Sequence, residues 1–368
     1  MRDILIKKAE QLGFVQVSFI PVQPLPVWDE KIEELKASDA SLTDYWKARG
    51  IVSDCKDVME DAKTIIAAAF PYYPGTCSFS QGQGYYSAHY AAYPKGRKFI
   101  AELADLLKEE GYKAIIDPPL PAKQIAFIGG LGKFGKNSLI YSSKFGSYIT
   151  LHIILTDAEI TYDNIESGRL TDCGKCRLCI DACPMQAITE EGVVIANKCM
   201  RFYMLTSGII PIEIRERIGN RIVGCDECQK VCPRNQAVIK RYGTIHEKIC
   251  LFDIKKILGD AGTGLKKHMD LIGQHIGRNY ARARKVLSMI IIAAGNSGDD
   301  SYVPLLADTL NYDYPPVRAH SAWAIGKLGG TKAKEVLLNA LRKENNPDVK
   351  QEILFALDRI TKNDHIPD

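Results

Sequence analysis

The sequence predicts an α+β multidomain protein: a mixed α/β N-terminal half, a small cysteine-rich metal-binding module, and a helical C-terminal domain. Three observations carry this. Apolar strand-like runs alternate with amphipathic helical runs over residues 1–165; eight of the eleven cysteines fall between Cys173 and Cys232; and an apolar pattern recurs at a spacing of 31–32 residues near the C-terminus.

The first half reads element by element. Asp3–Leu12 has helical periodicity and ends at Gly13, and Phe14–Ile20 reads as a strand. Trp28–Arg49 reads as mostly helical, and Thr64–Phe70 as an apolar strand stopped by Pro71. Arg97–Glu110 reads as an amphipathic helix with Phe99, Ile100, Leu103, Leu106 and Leu107 on one face, closed by Gly111. Tyr112–Ile116 and Tyr148–Leu155 are two further strands. Residues 166–255 offer short loops and little apolar core, so bound metal is expected to supply much of their folding energy.

Residues 256–368 are helical and repetitive. Val317 and Val349 each follow a proline-containing turn, and Ala293, Gly295 and Gly298 align with Ala324, Gly326 and Gly329 at a shift of 31. Each such unit cannot bury its apolar face alone, so stacked helix pairs are expected. The segments resemble HEAT repeats.

Composition is that of an ordinary soluble chain: 368 residues, 46% hydrophobic, 25% charged, net charge +4. No apolar h-region follows the N-terminal residues and no apolar run approaches about 18 residues, so neither a secretory signal nor a membrane span is expected. An odd, clustered cysteine set without a secretory signal implies thiolate metal ligands in a reducing compartment, the cytoplasm.

The cysteine spacing names the metal. Cys173-x2-Cys176-x2-Cys179-x3-Cys183-Pro184 is the bacterial ferredoxin pattern. Three thiolates of a tight loop reach three irons of one cubane, and the fourth is carried on to a second cluster. Paired C-x2-C motifs also make zinc sites, but zinc does not call for this longer run. The second motif, Cys225-x2-Cys228-x3-Cys232-Pro233, lacks its first cysteine, because position 222 is Ile222. Cys199, between the motifs, is the replacement. One [4Fe–4S] cluster is therefore assigned Cys173, Cys176, Cys179 and Cys232, and the other Cys183, Cys199, Cys225 and Cys228. Cys55, Cys77 and Cys250 are left as unliganded thiols.

Gly130-Leu131-Gly132-Lys133-Phe134-Gly135 matches G-x-G-x-x-G, and Gly130–Lys136 nearly matches a P-loop. Both readings are weak. Asn137 stands where a P-loop needs Ser or Thr, and no helix of sufficient length follows. A turn whose glycines let the backbone approach some other ligand is expected instead. Gly264–Lys285 is basic, with Lys266, Lys267, Arg278, Arg282, Arg284 and Lys285, which suits phosphate contacts. His89, His152 and His320 stand singly and are read as structural.

These pieces together resemble the epoxyqueuosine reductase family over nearly the whole chain. The resemblance is strongest over Gly130–Ile140, Cys173–Pro184 and Gly219–Gln229. It implies a cobalamin in the N-terminal domain close to the nearer cluster, with Gly132, Gly135, Lys136, Asn137, Ser138 and Ile140 near it and no protein ligand on cobalt. It implies electrons passing from a low-potential donor through the clusters to cobalt. It also implies removal of the epoxide oxygen of epoxyqueuosine at the wobble position of tRNA, by a monomer that contacts the anticodon region. The family's proton-donating aspartate matches Asp117. A carboxylic acid donates best when burial lifts its pKa towards the working pH, and a dry pocket under a corrinoid would do so. The substrate half departs from the family: the family's Arg-Asp-Tyr-His segment reads Tyr93-Pro94-Lys95-Gly96-Arg97-Lys98 here, and the stretch after Asp117 is one residue shorter. The alternative is therefore a divergent corrinoid and iron–sulfur reductase acting on a small molecule or another corrinoid protein. The domains expected are 1–165 (corrinoid-binding), 166–255 (double cluster) and 256–368 (HEAT-like).

Overall fold

The computed structural model describes residues 1–25, 33, 50–74, 82–165, 171–205, 207–243 and 251–363. The expected helix over Trp28–Arg49, and the cysteines Cys77 and Cys250, lie outside the described residues. The chain packs as two compact units. The first comprises Met1–Thr76, Ala91–Cys199 and Asp226–Ile245; the second comprises Cys77–Tyr90, Met200–Cys225 and His246–Asp368.

The first unit is built on a four-stranded antiparallel sheet. Its strands are β1 (Gln16–Pro21), β2 (Thr64–Pro71), β4 (Ala114–Ile116) and β7 (Ile149–Thr156), in the order β1-β2-β7-β4. The intervening label β3 belongs to Tyr85–Tyr86 of the second unit, and β5 and β6 to the hairpin described below. Strand β2 explains why its sequence is a continuous apolar run. Ile65, Ala67 and Ala69 enter one core, and Ile66, Ala68 and Phe70 enter the other, so both faces are dry. Helices α1 (Arg2–Gln11) and α2 (His89–Glu109) cover one face with Leu5, Ala9, Ile100, Leu103 and Leu107. Helix α3 (Ala122–Ile128) covers the other with Ile125 and Phe127.

Helix α2 begins at His89, eight residues before the expected start at Arg97. Pro94 and Gly96 read as punctuation, yet both lie inside the helix. Gly96 has a packing reason: a Cβ there would lie 2.4 Å from His152 Nε2. The strand before Asp117 is shorter than expected, since the Tyr112 amide caps α2 by donating to the Leu107 carbonyl.

In the second unit β3 pairs in parallel with β8 (Arg221–Val223). The helical array follows, with alternate helices at Ala283–Asn296, Pro315–Leu328 and Pro347–Asn363. The 31-residue repeat has a contact that enforces it. A Cβ at Gly295 would lie 2.8 Å from Ala324 Cα, and one at Gly326 would lie 2.7 Å from Ala356 Cα. Each glycine lets one helix backbone meet the next, and the repeat is this contact used twice. Gly326→Val is therefore expected to destabilise by about 2–3 kcal/mol through overpacking, whereas Gly259→Ala, with open space around its Cβ, is expected to change little. Thermal melts of the two variants check this; equal melting temperatures would remove the contact as the origin of the repeat. Among the described residues no helix is long and apolar enough to cross a membrane.

Candidate functional site

Most of the cysteines expected as ligands lie on two short stretches with matching backbones, with Cys199 between them. Helix α4 (Leu178–Asp181) and helix α5 (Glu227–Lys230) each have four residues with cysteine second, Cys179 and Cys228. The residues after them, Ala182 (φ −81°, ψ −7°) and Val231 (φ −84°, ψ −9°), superpose in conformation, and each precedes a Cys-Pro pair. The two helices pack against each other. All nine described cysteines are free of disulfides.

The four thiols of the first expected set influence one another. Burial pushes the Cys179 thiol above its ordinary pKa, and the neighbouring Cys173, Cys232 and Cys176 thiols add to the shift. Among the described residues no three Cys, His, Asp or Glu side chains converge on a single-ion site. Four cysteine thiols are the donor set that a cubane takes, each binding a different iron. Of the second set, Cys183 Sγ already accepts a hydrogen bond from the Ala187 amide at 3.4 Å. Position 222 has a structural reason for not being cysteine: Ile222 lies on β8, 2% exposed, with its Cγ1 where a Cβ on Gly84 would be. Cys55 is fully buried, which raises its thiol pKa to about 11 and leaves it inert.

The glycine segment forms a hairpin of β5 (Lys133–Phe134) and β6 (Ile140–Tyr141), with no helix after it. Its glycines serve Tyr141. A Cβ on Gly132 would lie 2.3 Å from the Tyr141 carbonyl, and one on Gly135 would lie 2.5 Å from the Tyr141 ring. Asn137 is 5% exposed, and its amide donates to Tyr141 Oη at 2.8 Å and to the Cys228 carbonyl at 3.3 Å. Ser138, at φ 57°, donates to the Gly192 carbonyl at 3.1 Å. Lys136 faces Glu190 at 3.9 Å, and Ile140 is 4% exposed. Of the six residues expected near a corrinoid, Gly132, Lys136 and Ser138 keep partly exposed surface.

Asp117 closes β4 at φ 44°, a left-handed conformation that aspartate tolerates. Its Oδ1 accepts from the Ile153 amide at 3.1 Å, and its Oδ2 accepts from Tyr93 Oη at 3.1 Å. Oδ2 also lies 3.4 Å from His152 Nδ1 and 3.6 Å from Arg97 Nε. His152 is fully buried, its Nε2 3.0 Å from Thr150 Oγ1 and its ring 4.9 Å from that of Tyr93. Burial acts to raise the Asp117 pKa, but hydrogen bonding and charge at His152, with Ile153 and Tyr93, outweigh it and hold the carboxyl below its ordinary value. The expectation of a raised pKa is thus reversed in this arrangement, because the donors around the carboxylate outnumber what desolvation opposes. The sequence reading missed His152 and Tyr93 as its partners.

Two segments match known families: a 4Fe-4S double cluster binding domain over residues 172–235 and HEAT repeats over residues 280–358. The chain thus binds two [4Fe–4S] clusters. It is 30% identical over 357 residues to the epoxyqueuosine reductase of Aliivibrio fischeri, covering 91% of this chain and 92% of that one. It is 32% identical to the Bacillus subtilis enzyme over 267 residues, 70% of this chain and 67% of that one. The chain belongs to the epoxyqueuosine reductase family. Two solved epoxyqueuosine reductases share its fold over 98% of both chains: one in complex with an epoxyqueuosine-modified tRNA stem loop (TM-score 0.83, 26% identity), and one from Bacillus subtilis with its catalytic aspartate loop swung out of the active site (TM-score 0.81, 25% identity).

The basic segment is less free than its sequence implied. Lys266 pairs with Asp270, Lys267 and His268 with Asp260, and Arg284 with Asp313. Among the described residues Arg278 and Arg282 are exposed and carry no ion pair. His320 is structural, its Nε2 accepting from the Ile210 amide at 3.0 Å.

Proposed function

We propose that this chain reduces epoxyqueuosine in tRNA to queuosine, as a cobalamin-dependent enzyme fed with electrons through its two clusters. The observation that carries the reading is the end-to-end likeness to an epoxyqueuosine reductase in complex with its modified stem loop. Cys173, Cys176, Cys179 and Cys232 hold one cluster, and Cys183, Cys199, Cys225 and Cys228 hold the other. The cobalamin, when bound, supplies low-valent cobalt chemistry at the epoxide. The partly exposed backbone at Gly132, Lys136 and Ser138 suits a corrinoid edge. His152, the only histidine within the first unit's sequence segments, is buried against Asp117 and Thr150, so it would not be available to a bound cobalamin as a ligand.

The net reaction takes up two electrons and two protons and releases the epoxide oxygen as water. Asp117 is the residue that moves a proton. In the arrangement described it is an ionised carboxylate held by Tyr93, Ile153, His152 and Arg97, a resting position. The relative whose catalytic aspartate loop is swung out supports more than one position for this loop. Arg278 and Arg282 contact tRNA phosphates, and a low-potential donor reduces the clusters.

The test is an anaerobic assay with epoxyqueuosine-containing tRNA, cobalamin and a low-potential reductant, read as queuosine in the nucleoside digest. Queuosine is expected. None formed by protein with both clusters and cobalamin loaded would overturn the reading in favour of a small-molecule or corrinoid-protein substrate.

A further inference from the structure

His152 interrupts an apolar strand. It lies on β7, fully buried, with the Phe14 ring edge-on at 6.3 Å and Ile154 two residues further along the same face. An imidazole placed there costs free energy unless both ring nitrogens are engaged. Both are: Nε2 lies 3.0 Å from Thr150 Oγ1, and Nδ1 lies 3.4 Å from Asp117 Oδ2. Helix α2 is cut away to admit the ring, since a Cβ on Gly96 would lie 2.4 Å from Nε2 and 2.9 Å from Cδ2. Glycine inside a helix is destabilising relative to alanine, so the fold gives up helix stability at this point to seat a histidine.

The contacts fix which way the protons point. The Asp117 carboxylate only accepts, so His152 Nδ1 carries a proton and donates to it. Thr150 serves either state of the other nitrogen. With the ring neutral, the Thr150 hydroxyl donates to Nε2. With the ring charged, Nε2 donates to Thr150, whose own proton turns to the Phe70 carbonyl at 3.4 Å. The hold on Asp117 is therefore kept whether or not the ring is charged. The remaining anchorage of Asp117 is of two kinds. Its amide donates to the Ile153 carbonyl at 2.7 Å and its Oδ1 accepts from the Ile153 amide at 3.1 Å, which fixes the residue at the strand end. Oδ2 is shared by His152, Tyr93 Oη at 3.1 Å and Arg97 Nε at 3.6 Å. Arg97 is exposed and Tyr93 partly so, and water competes with both; His152 is out of its reach.

We infer that His152 is the positioning residue for the Asp117 side chain, holding its carboxylate in the resting position and setting how readily it takes up a proton. A buried donor makes a stronger bond to a carboxylate than one shared with water, and a hydrogen bond to the charged form favours that form. Tyr93 and Arg97 from α2 are the other titratable and charged groups facing the pair, and Phe14 contributes an apolar edge. Burial alone would raise the Asp117 pKa; the His152 hydrogen bond and charge are the chief causes that hold it below its ordinary value. The consequence for turnover rests on the reading of Asp117 as the residue that moves a proton; the hold on the carboxylate does not.

The measurement is a pH titration of the Asp117 carboxyl carbon in cluster-loaded protein labelled with carbon-13 aspartate, the signal being assigned by its loss in Asp117→Asn. His152→Leu removes the donor, and the midpoint is expected to rise by about one pH unit, about a tenfold change in the protonated fraction. His152→Asn puts an amide donor where Nδ1 stood and is expected to bring the midpoint back towards wild type. An unmoved midpoint in His152→Leu overturns the inference, and so does an equal rise in both variants. Should His152→Leu not fold, His152→Gln takes its place, its amide reaching Thr150 and not Asp117. In the anaerobic assay, the alkaline fall in turnover should move up with the midpoint; a fall that stays put while the midpoint moves removes His152 from turnover. Asp117→Asn separates the two readings. If it turns over normally, Asp117 is not the proton donor, and the titration still decides the hold of His152.

Discussion

Asp117→Asn is expected to keep both clusters and the affinity for tRNA while turnover falls by about 10²–10⁴, the usual cost of removing a positioned general acid. Asparagine preserves the shape of the side chain and can still accept from the Ile153 amide, but it has no acidic proton. The pKa direction sharpens the expectation. A general acid works from its protonated form, and the partners around Asp117 depress its pKa, so at neutral pH the docked group is ionised. Donation therefore requires the carboxyl to leave Tyr93 and His152 and take up a proton. The same depression is a stability term. It is present above the unfolded carboxylate pKa of about 3.9 and is lost as pH falls through the lower folded value. The variant should thus lose some stability at neutral pH and none in strong acid. Normal turnover by Asp117→Asn on epoxyqueuosine tRNA would remove Asp117 from the mechanism.

Cys199→Ala should cost one whole cluster. Iron per reconstituted chain is expected to fall from about eight to about four, with one of the two resonance signals and all turnover lost, because electrons then have no continuous path. Restoring the regular ferredoxin spacing by adding Ile222→Cys should not rescue it. Ile222 is fixed on β8 with its side chain packed over Gly84, and a strand position cannot supply the loop thiolate. Full iron content and both signals in Cys199→Ala would place the fourth ligand elsewhere.

The cluster module was legible in the sequence because its ligands are spaced within single turns of backbone, and the chemistry of a cubane dictates those spacings. The helical repeat was legible because Gly295 and Gly326 mark one close contact made twice. What could not be read was pairing across the fold. Ser147 meets Gln229 and Asn235 over separations of 82 and 88 residues, and no local pattern announces a serine that accepts twice. His152 reads as a lone residue in an apolar strand; only the sheet register brings it to Asp117, 35 residues away. The start of α2 was hidden for a related reason. Gly96 breaks the helical pattern locally, yet it is required by a ring on another strand.

The order of segments in the two units bears on how the chain comes off the ribosome. The first unit needs Asp226–Ile245, and by then Cys77–Tyr90 and Met200–Cys225 have already been made for the second. Neither unit is a continuous stretch that can close and wait. The sheet can form early, but the first unit is complete only once residue 245 has emerged. Long-separation closures of this kind are slow. A fragment ending before Asp226 would retain Cys173, Cys176 and Cys179 without Cys232, the fourth ligand proposed for their cluster.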